Sequence, residues 1–412
     1  MRSEFRRVTV EQAVELIIDH RGRTPKKLGG DFTAHGVQVI SAKNVYGSRL
    51  HADENQRFVP PEMARRWMPN ALRPGDVLLT SEAPLGQAAY LNDNATFCLG
   101  QRLFGLRARP DVAHDRFLYY SLISPIVQTR LHGRASGTTA QGIKQAELRQ
   151  VELDLPPLGE QERIASVLGA LDDKIDSNRR LCLVLTGVME NLFRRARRTA
   201  KNEKTLGSAC ILVKRGISPK YAEDEGLAVI NQRCIRGGTV DFILTRRHDV
   251  QARRVPEERL LRPGDVLVNS TGVGTLGRVA PVRWLPGEAT TDSHVTIVRP
   301  NPEVVEPSYA ALELLTRQDE LAELGQGSTG QTELGRARLE AFPIRIAEPQ
   351  QQNELASVAA PVGRKIATLE QETLALAEIR DALLPKLVAG HIRVPSTDEQ
   401  AVTRDQNDEF AA

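Results

Sequence analysis

Aromatic side chains make up only 4% of the 412 residues. Such scarcity disfavours a protein that reads single strands by stacking bases on rings. Cysteine is rarer still, at four residues. Cys98, Cys182, Cys210 and Cys234 lie far apart and form no CxxC, so neither a zinc site nor a disulfide framework is expected, and a reducing cytoplasm fits. The eight histidines form no HExxH. No apolar run reaches the ~18 residues of a membrane span. The basic start, MRSEFRRVTVEQAVELI, is broken by charges and lacks a cleavage signal, so no signal peptide is expected. A single-sign charge excess is also missing, with 55 basic against 52 acidic residues. The balance is uneven along the chain, however. Ser396 to Ala412 holds five acids and one arginine, and this acidic stretch, 392–412, is expected to be disordered.

Nucleotide and metal chemistry are likewise missing. There is no GxxxxGK[ST] loop. The letters GVGTLG at 272–277 fit a dinucleotide fingerprint, but strand-like RVAPVRW follows instead of a helix. Asp172, Asp173 and Lys174 resemble half of a nuclease metal site, but with no acid pair nearby they read as a helix-surface charge cluster. No catalytic residue and no metal ligand is assigned.

What the chain does contain is an internal repeat. Arg21-Gly22-Arg23-Thr24-Pro25-Lys26 returns as Arg215-Gly216-Ile217-Ser218-Pro219-Lys220. VISAK at 39–43 returns as VINQR at 229–233, and LRPGDVL at 72–78 returns at 261–267. GTTAQ at 137–141 returns as GSTGQ at 327–331. The order is kept and the offset stays near 190 residues, which points to duplication of one unit. Each copy reads as mixed: short strands such as GVQVIS, DVLLTS and TFCLGQRLFGL, then a helix over 113–132, with LAVIN, DVLVNS, SHVTIV and a helix opened by Pro307 in the second copy.

A long helix follows each mixed part. Ile164, Leu168, Leu171, Ile175, Asn178, Cys182, Leu185, Met189, Leu192 and Ala196 are spaced 4,3,4,3, the seam of a left-handed coiled coil. Leu355, Ala359, Val362, Ile366, Leu369, Thr373, Leu376, Arg380, Leu383 and Leu387 repeat that spacing. Pro361 is expected to kink or break the second helix. Each helix could simply complete its own domain's core. Alternatively the two pack on one another as a rigid spacer of about 50 Å at ~1.5 Å per residue. Asn178 either fixes register or marks a frayed break. The run Arg194, Arg195, Arg197, Arg198 reads as a solvated face or as a phosphate or partner contact.

Polar and basic residues recur at matched turns. Candidate DNA-binding residues in the first copy are Arg23, Lys26, Lys43, Asn44, Arg134, Thr138, Thr139, Gln141 and Lys144. In the second copy they are Lys220, Asn231, Gln232, Arg233, Ser328, Thr329 and Gln331. Lysine and arginine suit phosphates, and Asn or Gln can pair bidentately with adenine. Duplex recognition fits this set better than single-strand binding. Domains are expected at 1–157, 158–198, 199–345 and 346–391, ahead of the acidic tail.

The stretch LPPLGEQERIASVLGALDDKIDSNRRLCLVL resembles the first central repeat of type I restriction–modification specificity subunits. RGRTPK, RPGDVLLTSEAPLGQAA and GTTAQGIKQAEL resemble their target-recognition domains. The second copy departs from the central repeat, since AEPQQQNELASVAAPVGRKI lacks the LPPLxEQ and LDDK letters. The resemblance implies an α+β fold with two duplicated target-recognition domains, related by a pseudo-twofold and separated by long helices packed as an antiparallel coiled coil. It implies a non-catalytic subunit that reads a split double-stranded DNA target and recruits two methyltransferase subunits and, with them, translocating restriction endonuclease subunits. S-adenosylmethionine, ATP and Mg2+ would sit on those partners. The remaining alternatives are a specificity subunit of a related system outside type I, a coiled-coil adaptor without DNA binding, and an enzyme with hidden catalysis.

Overall fold

Residues 5–51, 56–92, 96–137, 141–198, 200–223, 225–272, 274–326 and 332–395 are described in the computed structural model. Two compact units emerge, one combining residues up to Asp172 with those from Glu378 onward, the other spanning Asp173–Ala377. Among the described residues no helix is long and apolar enough to cross a membrane. All four cysteines are free, and burial pushes the Cys98 and Cys182 thiols up to about 11 and Cys210 to about 12.

The first unit is α+β. Its main sheet is antiparallel, in the order Val14–Asp19, Leu103–Ala108, Val77–Thr80, Ala88–Tyr90. Successive strand residues face opposite sides, and both sides are buried. Val77, Leu79, Phe104 and Leu106 pack towards the helices, whereas Leu78 and Leu103 pack towards a smaller sheet. That smaller sheet has the order Phe58–Val59, Val37–Ile40, Phe97–Leu99, the last pairing being parallel. Where one helix over 113–132 was expected, there are two, Asp115–Ile123 and Pro125–Gly133. The break falls before Pro125, because a residue preceding proline is driven out of the helical region. Ser124 there is extended and its hydroxyl accepts from the Val127 N–H, restarting the helix.

The second unit has the same main-sheet order, Cys210–Arg215, Val295–Pro300, Val266–Asn269, Val279–Pro281. Its smaller sheet has the order Tyr221–Ala222, Arg246–His248, Leu227–Ile230, Ala289–Thr291, the last pairing being parallel. Each Arg-Pro-Gly-Asp turn is locked alike. Asp76 accepts a bidentate pair from Arg107 at 2.8 and 2.8 Å, and from the Arg73 N–H at 2.9 Å. Asp265 accepts from Arg299 at 2.7 and 2.9 Å, and from the Arg262 N–H at 2.9 Å.

The long helices are Leu158–Arg197 and Pro349–Val388. In the first unit Ile164 and Leu168 share a core with Leu384, Leu387 and Val388, and Leu383 packs on it. In the second unit Leu185, Leu192 and Val362 pack on a core that holds Phe193, Leu355, Ala359, Ile366 and Leu369. Ile175 is buried, and Leu171 and Leu376 are half-buried. The Ala196 side chain lies outside the described residues. Pro361 does not end the second helix. Its ring and Ser357, whose carbonyl loses the N–H partner, are both exposed, so water can satisfy the freed carbonyl. Asn178 is not at a frayed break. It is buried, and its amide donates to Glu372 at 2.9 Å, which also meets Lys174 at 3.3 Å.

Polar side chains fasten the helices to the mixed parts. Gln161 accepts from the His114 N–H at 2.9 Å and donates to Val112 and Pro156 carbonyls. Gln352 repeats this, accepting from the Glu306 N–H and donating to the Ala347 carbonyl, both at 2.8 Å. So the second copy keeps the glutamine's role within a changed motif. Asp172 is not a mere surface charge: it accepts from the Tyr120 hydroxyl at 2.7 Å and from Arg380 at 2.8 Å. Arg197 likewise leaves the solvated run to pair with buried Glu313 at 2.6 Å.

In the second unit Glu370 is buried beside Arg283 and accepts from the Trp284 indole at 2.8 Å. Burial outweighs these partners and pushes its carboxyl up to about 7. The native state therefore holds this proton more tightly than the unfolded chain. The group's contribution is fully present below its ordinary value near 4.5 and is lost as pH rises through about 7. Glu370→Gln takes this titrating carboxyl away, at the cost of leaving buried Arg283 with a neutral partner. It should flatten the decline between pH ~5 and ~8, measured by calorimetry. A variant with the parent's slope would contradict this.

Candidate nucleic-acid interface

In each unit the end of the main sheet away from the Arg-Pro-Gly-Asp turn meets the Gly/Ser/Thr/Gln loop that recurs in the sequence. In the first, the Ser81 N–H donates to the Arg102 carbonyl and the Ile143 N–H to the Ser81 carbonyl, both at 2.9 Å. Ser136 and Gly142 bridge the base of the Gly/Thr/Gln loop. In the second, the Ser270 N–H donates to the His294 carbonyl and the Leu334 N–H to the Ser270 carbonyl, both at 2.8 Å. Gln326 and Glu333 bridge the corresponding loop. An arginine braces each loop from the neighbouring strand end. Arg21 donates to the Ile143 carbonyl at 3.2 Å and Arg215 to the Leu334 carbonyl at 3.0 Å.

In the first unit these parts enclose a groove of about 430 Å³, lined by Arg21, Gly22, Ser81, Glu82, Gln101, Arg102, Ser136, Gly142, Ile143 and Lys144. Glu82 pairs with Arg102 at 2.8 Å. At the matching places of the second unit stand Thr271 and His294, hydrogen-bonded at 2.7 Å, and Glu333, which pairs with Arg215 at 2.7 Å. The neighbouring Asp292 is buried, which pushes its carboxyl above the usual carboxylate range. The backbone frame recurs while the side chains at its mouth differ. Among the described residues no group of three or more His, Cys, Asp or Glu is placed to hold a metal.

The sequence candidates divide on this geometry. Lys144 lines the groove, and Lys43 is exposed on a turn whose Ala42 N–H donates to the Gln101 carbonyl at 3.3 Å. Gln232 is half-buried beside Thr271, whose hydroxyl donates to it at 3.3 Å, and Arg233 is exposed on the same turn. Gln141 is exposed and meets His132 at 3.3 Å. Lys26 and Lys220 are exposed on the turns leading into the smaller sheets, and Arg134 pairs with Glu147 at 3.2 Å.

Three candidates hold the fold instead. Asn44 is wholly buried, donating to the His51 carbonyl and accepting from the Ser41 N–H, both at 3.0 Å. Asn231 accepts from the Arg233 N–H at 2.8 Å and donates to the Leu244 carbonyl at 3.3 Å. Both are consumed by the local backbone bonding that makes asparagine a turn residue. Arg23 donates to the Arg66 and Trp67 carbonyls at 3.1 and 2.6 Å, closing the C-terminus of the helix Pro61–Trp67. Thr138, Thr139, Ser328, Thr329 and Gln331 lie outside the described residues. Sequence reasoning passed over Glu82, Arg102, Thr271 and His294, since each is ordinary in its local context.

A pair of loop-bearing mixed units, each fastened to long helices, defines a class. Residues 15–186 match the family described as Type I restriction modification DNA specificity domain. Over those residues the chain is similar to this family of specificity subunits. The Type I restriction enzyme MjaIX specificity subunit of Methanocaldococcus jannaschii is 22% identical over 404 residues, with 90% of each chain covered. The putative MjaX specificity subunit of the same organism is 29% identical over 166 residues, covering 39% of this chain and 35% of the relative. Among solved structures, the S subunit from M. genitalium is 16% identical with a TM-score of 0.47, covering 95% of this chain and 97% of that one. The HsdS subunit from Thermoanaerobacter tengcongensis is 17% identical with a TM-score of 0.35, covering 94% and 97%.

Proposed function

We propose that this chain is the sequence-reading subunit of a type I restriction–modification complex in the cytoplasm. Its two mixed units are duplicated target-recognition domains, each reading one half of a bipartite, asymmetric duplex target. The two long helices pack antiparallel as a coiled coil and hold those domains apart. At ~1.5 Å per residue a helix of 40 residues is about 60 Å long, more than one duplex turn of ~34–36 Å. The chain recruits two methyltransferase subunits and, with them, restriction endonuclease subunits that translocate DNA. S-adenosylmethionine, ATP and Mg2+ belong to those partners.

One observation carries this reading. The same backbone frame at the end of each main sheet presents Glu82 and Arg102 in one unit, and Thr271 and His294 in the other. Arginine suits guanine and glutamate can accept from the cytosine amino group. A frame that stays constant while its mouth changes is what two different half-sites require.

The test uses the full chain and a labelled duplex. Lys43 and Arg233 stand beside the frames and are assigned to phosphates. Lys43→Ala and Arg233→Ala should weaken binding alike on every sequence. Each should flatten the plot of log affinity against log salt by about 0.9. Retention of the parent's slope by both variants would refute the phosphate assignment. Failure of the parent chain to bind any duplex at low salt would refute the DNA reading.

A further inference from the structure

Among the described residues only two aromatic side chains are strongly exposed, Phe32 at 39% and Tyr221 at 41%. They lie 189 positions apart, one in each unit. Each is covered by an arginine: the Arg57 guanidinium sits 5.2 Å from the Phe32 ring centre and that of Arg246 sits 3.2 Å from the Tyr221 ring centre. Those arginines are also 189 positions apart.

The backbone around the two pairs is the same. Thr33 bridges Phe58 as Ala222 pairs with Arg247, at the outer edge of the smaller sheet. Gly36 (φ 136°) and Gly226 (φ 133°) then turn the chain so closely that a Cβ would collide with the Val59 or His248 carbonyl. That shared turn accounts for the glycines. It does not account for the rings, because an exposed side chain is not selected by packing. Elsewhere exposed residues at matched places have diverged, as Arg102 and His294 show. Here the ring and the arginine have both been kept.

In the second unit exposed Lys220 directly precedes Tyr221 and exposed Arg247 follows Arg246, while in the first exposed Lys26 lies six residues ahead of Phe32. A guanidinium over a ring is attracted to its π face yet remains able to bind phosphate. The ring beneath it offers a flat apolar face suited to a deoxyribose or a thymine methyl at a groove edge.

We infer that Phe32 with Arg57, and Tyr221 with Arg246, are matched duplex-docking pairs whose arginine moves from the ring to a DNA phosphate while the uncovered ring packs against the groove edge. This rests on the proposed DNA reading and adds residues to it. The arginine acts as a lid in the free protein, shielding the ring from water until DNA supplies a better partner.

The experiment uses the full chain and a labelled duplex of mixed sequence. Phe32→Ala and Tyr221→Ala should each weaken binding, on the order of tenfold. Tyr221→Phe should bind as the parent does. Arg57→Gln and Arg246→Gln should each flatten the salt plot by about 0.9. Independently, Tyr221→Trp and Phe32→Trp should change emission as the duplex saturates the protein, whereas tryptophan at exposed Val358 should not. Parent-like binding by both alanine variants, together with unchanged emission from both tryptophans while DNA is bound, would overturn the pairs but not the DNA reading. If the parent chain itself binds no duplex, both fall together.

Discussion

Exchanging the first mixed unit for that of a relative should change one half of the methylated motif and leave the other half and the gap intact. The expectation rests on the two frames with different mouths, Glu82 and Arg102 against Thr271 and His294. It is measured by methylome sequencing after co-expression with the modification subunits. The first unit is not closed by residues 1–157 alone, so the exchange must respect several contacts. Tyr120 donates to Asp172, and Gln161 accepts from the His114 N–H. Leu384, Leu387 and Val388 fill part of the same core. A donor lacking the tyrosine would leave Arg380 and Asp172 as an incomplete cluster and confound loss of stability with loss of recognition. With those contacts kept, a change in both halves of the motif would defeat the modular reading, as would no change at all.

A second large effect is expected in stability. The Asp76 and Asp265 side chains are 1% exposed, and each holds a bidentate arginine together with a turn N–H. Hydrogen bonding to Asp265 also raises the Arg299 pKa, as mutual stabilisation requires. Removing one partner of a buried pair leaves an uncompensated charge and costs ~3–5 kcal/mol. Asp265→Ala should therefore lower the transition of the second unit by about 10 °C or more, and Asp76→Ala that of the first. Asp265→Asn keeps the turn acceptor and should lose less. Calorimetry of the full chain reads both; a shift under about 3 °C for the alanine variants would show that the turn is not a keystone.

Much of this architecture was legible in the sequence because it is periodic or repeated. Among the described residues, heptad spacing marked side chains that are buried or half-buried on both helices, and the recurring Arg-Pro-Gly-Asp marked the start of a strand in both units. What could not be read is tertiary in origin. Nothing near Asp76 announces Arg107, which arrives from a strand 31 residues away. Asp172 has acidic and basic neighbours, so its sequence context matches a solvated helix face, and only the fold brings Tyr120 to it. Asn44 and Asn231 carry the right chemistry for adenine but spend it on their own turns. Pro361 looked like a break because sequence alone does not tell which way a helical proline faces. The exposed rings were hidden in a general scarcity of aromatics, where rarity drew attention away from position.

The way the first unit is closed constrains how it is made. Ile164 and Leu168 share their core with Leu384, Leu387 and Val388, and Gly390 lies against Phe5. Between those two contributions the ribosome must synthesise the whole of the second unit. At ~5–20 residues per second that delay is roughly 10–40 s. During it, the second unit can complete itself from contiguous chain while the first waits with an apolar seam open to solvent. Order of assembly thus runs opposite to order of synthesis, and a nascent-chain binding factor would find its target on the first-made half.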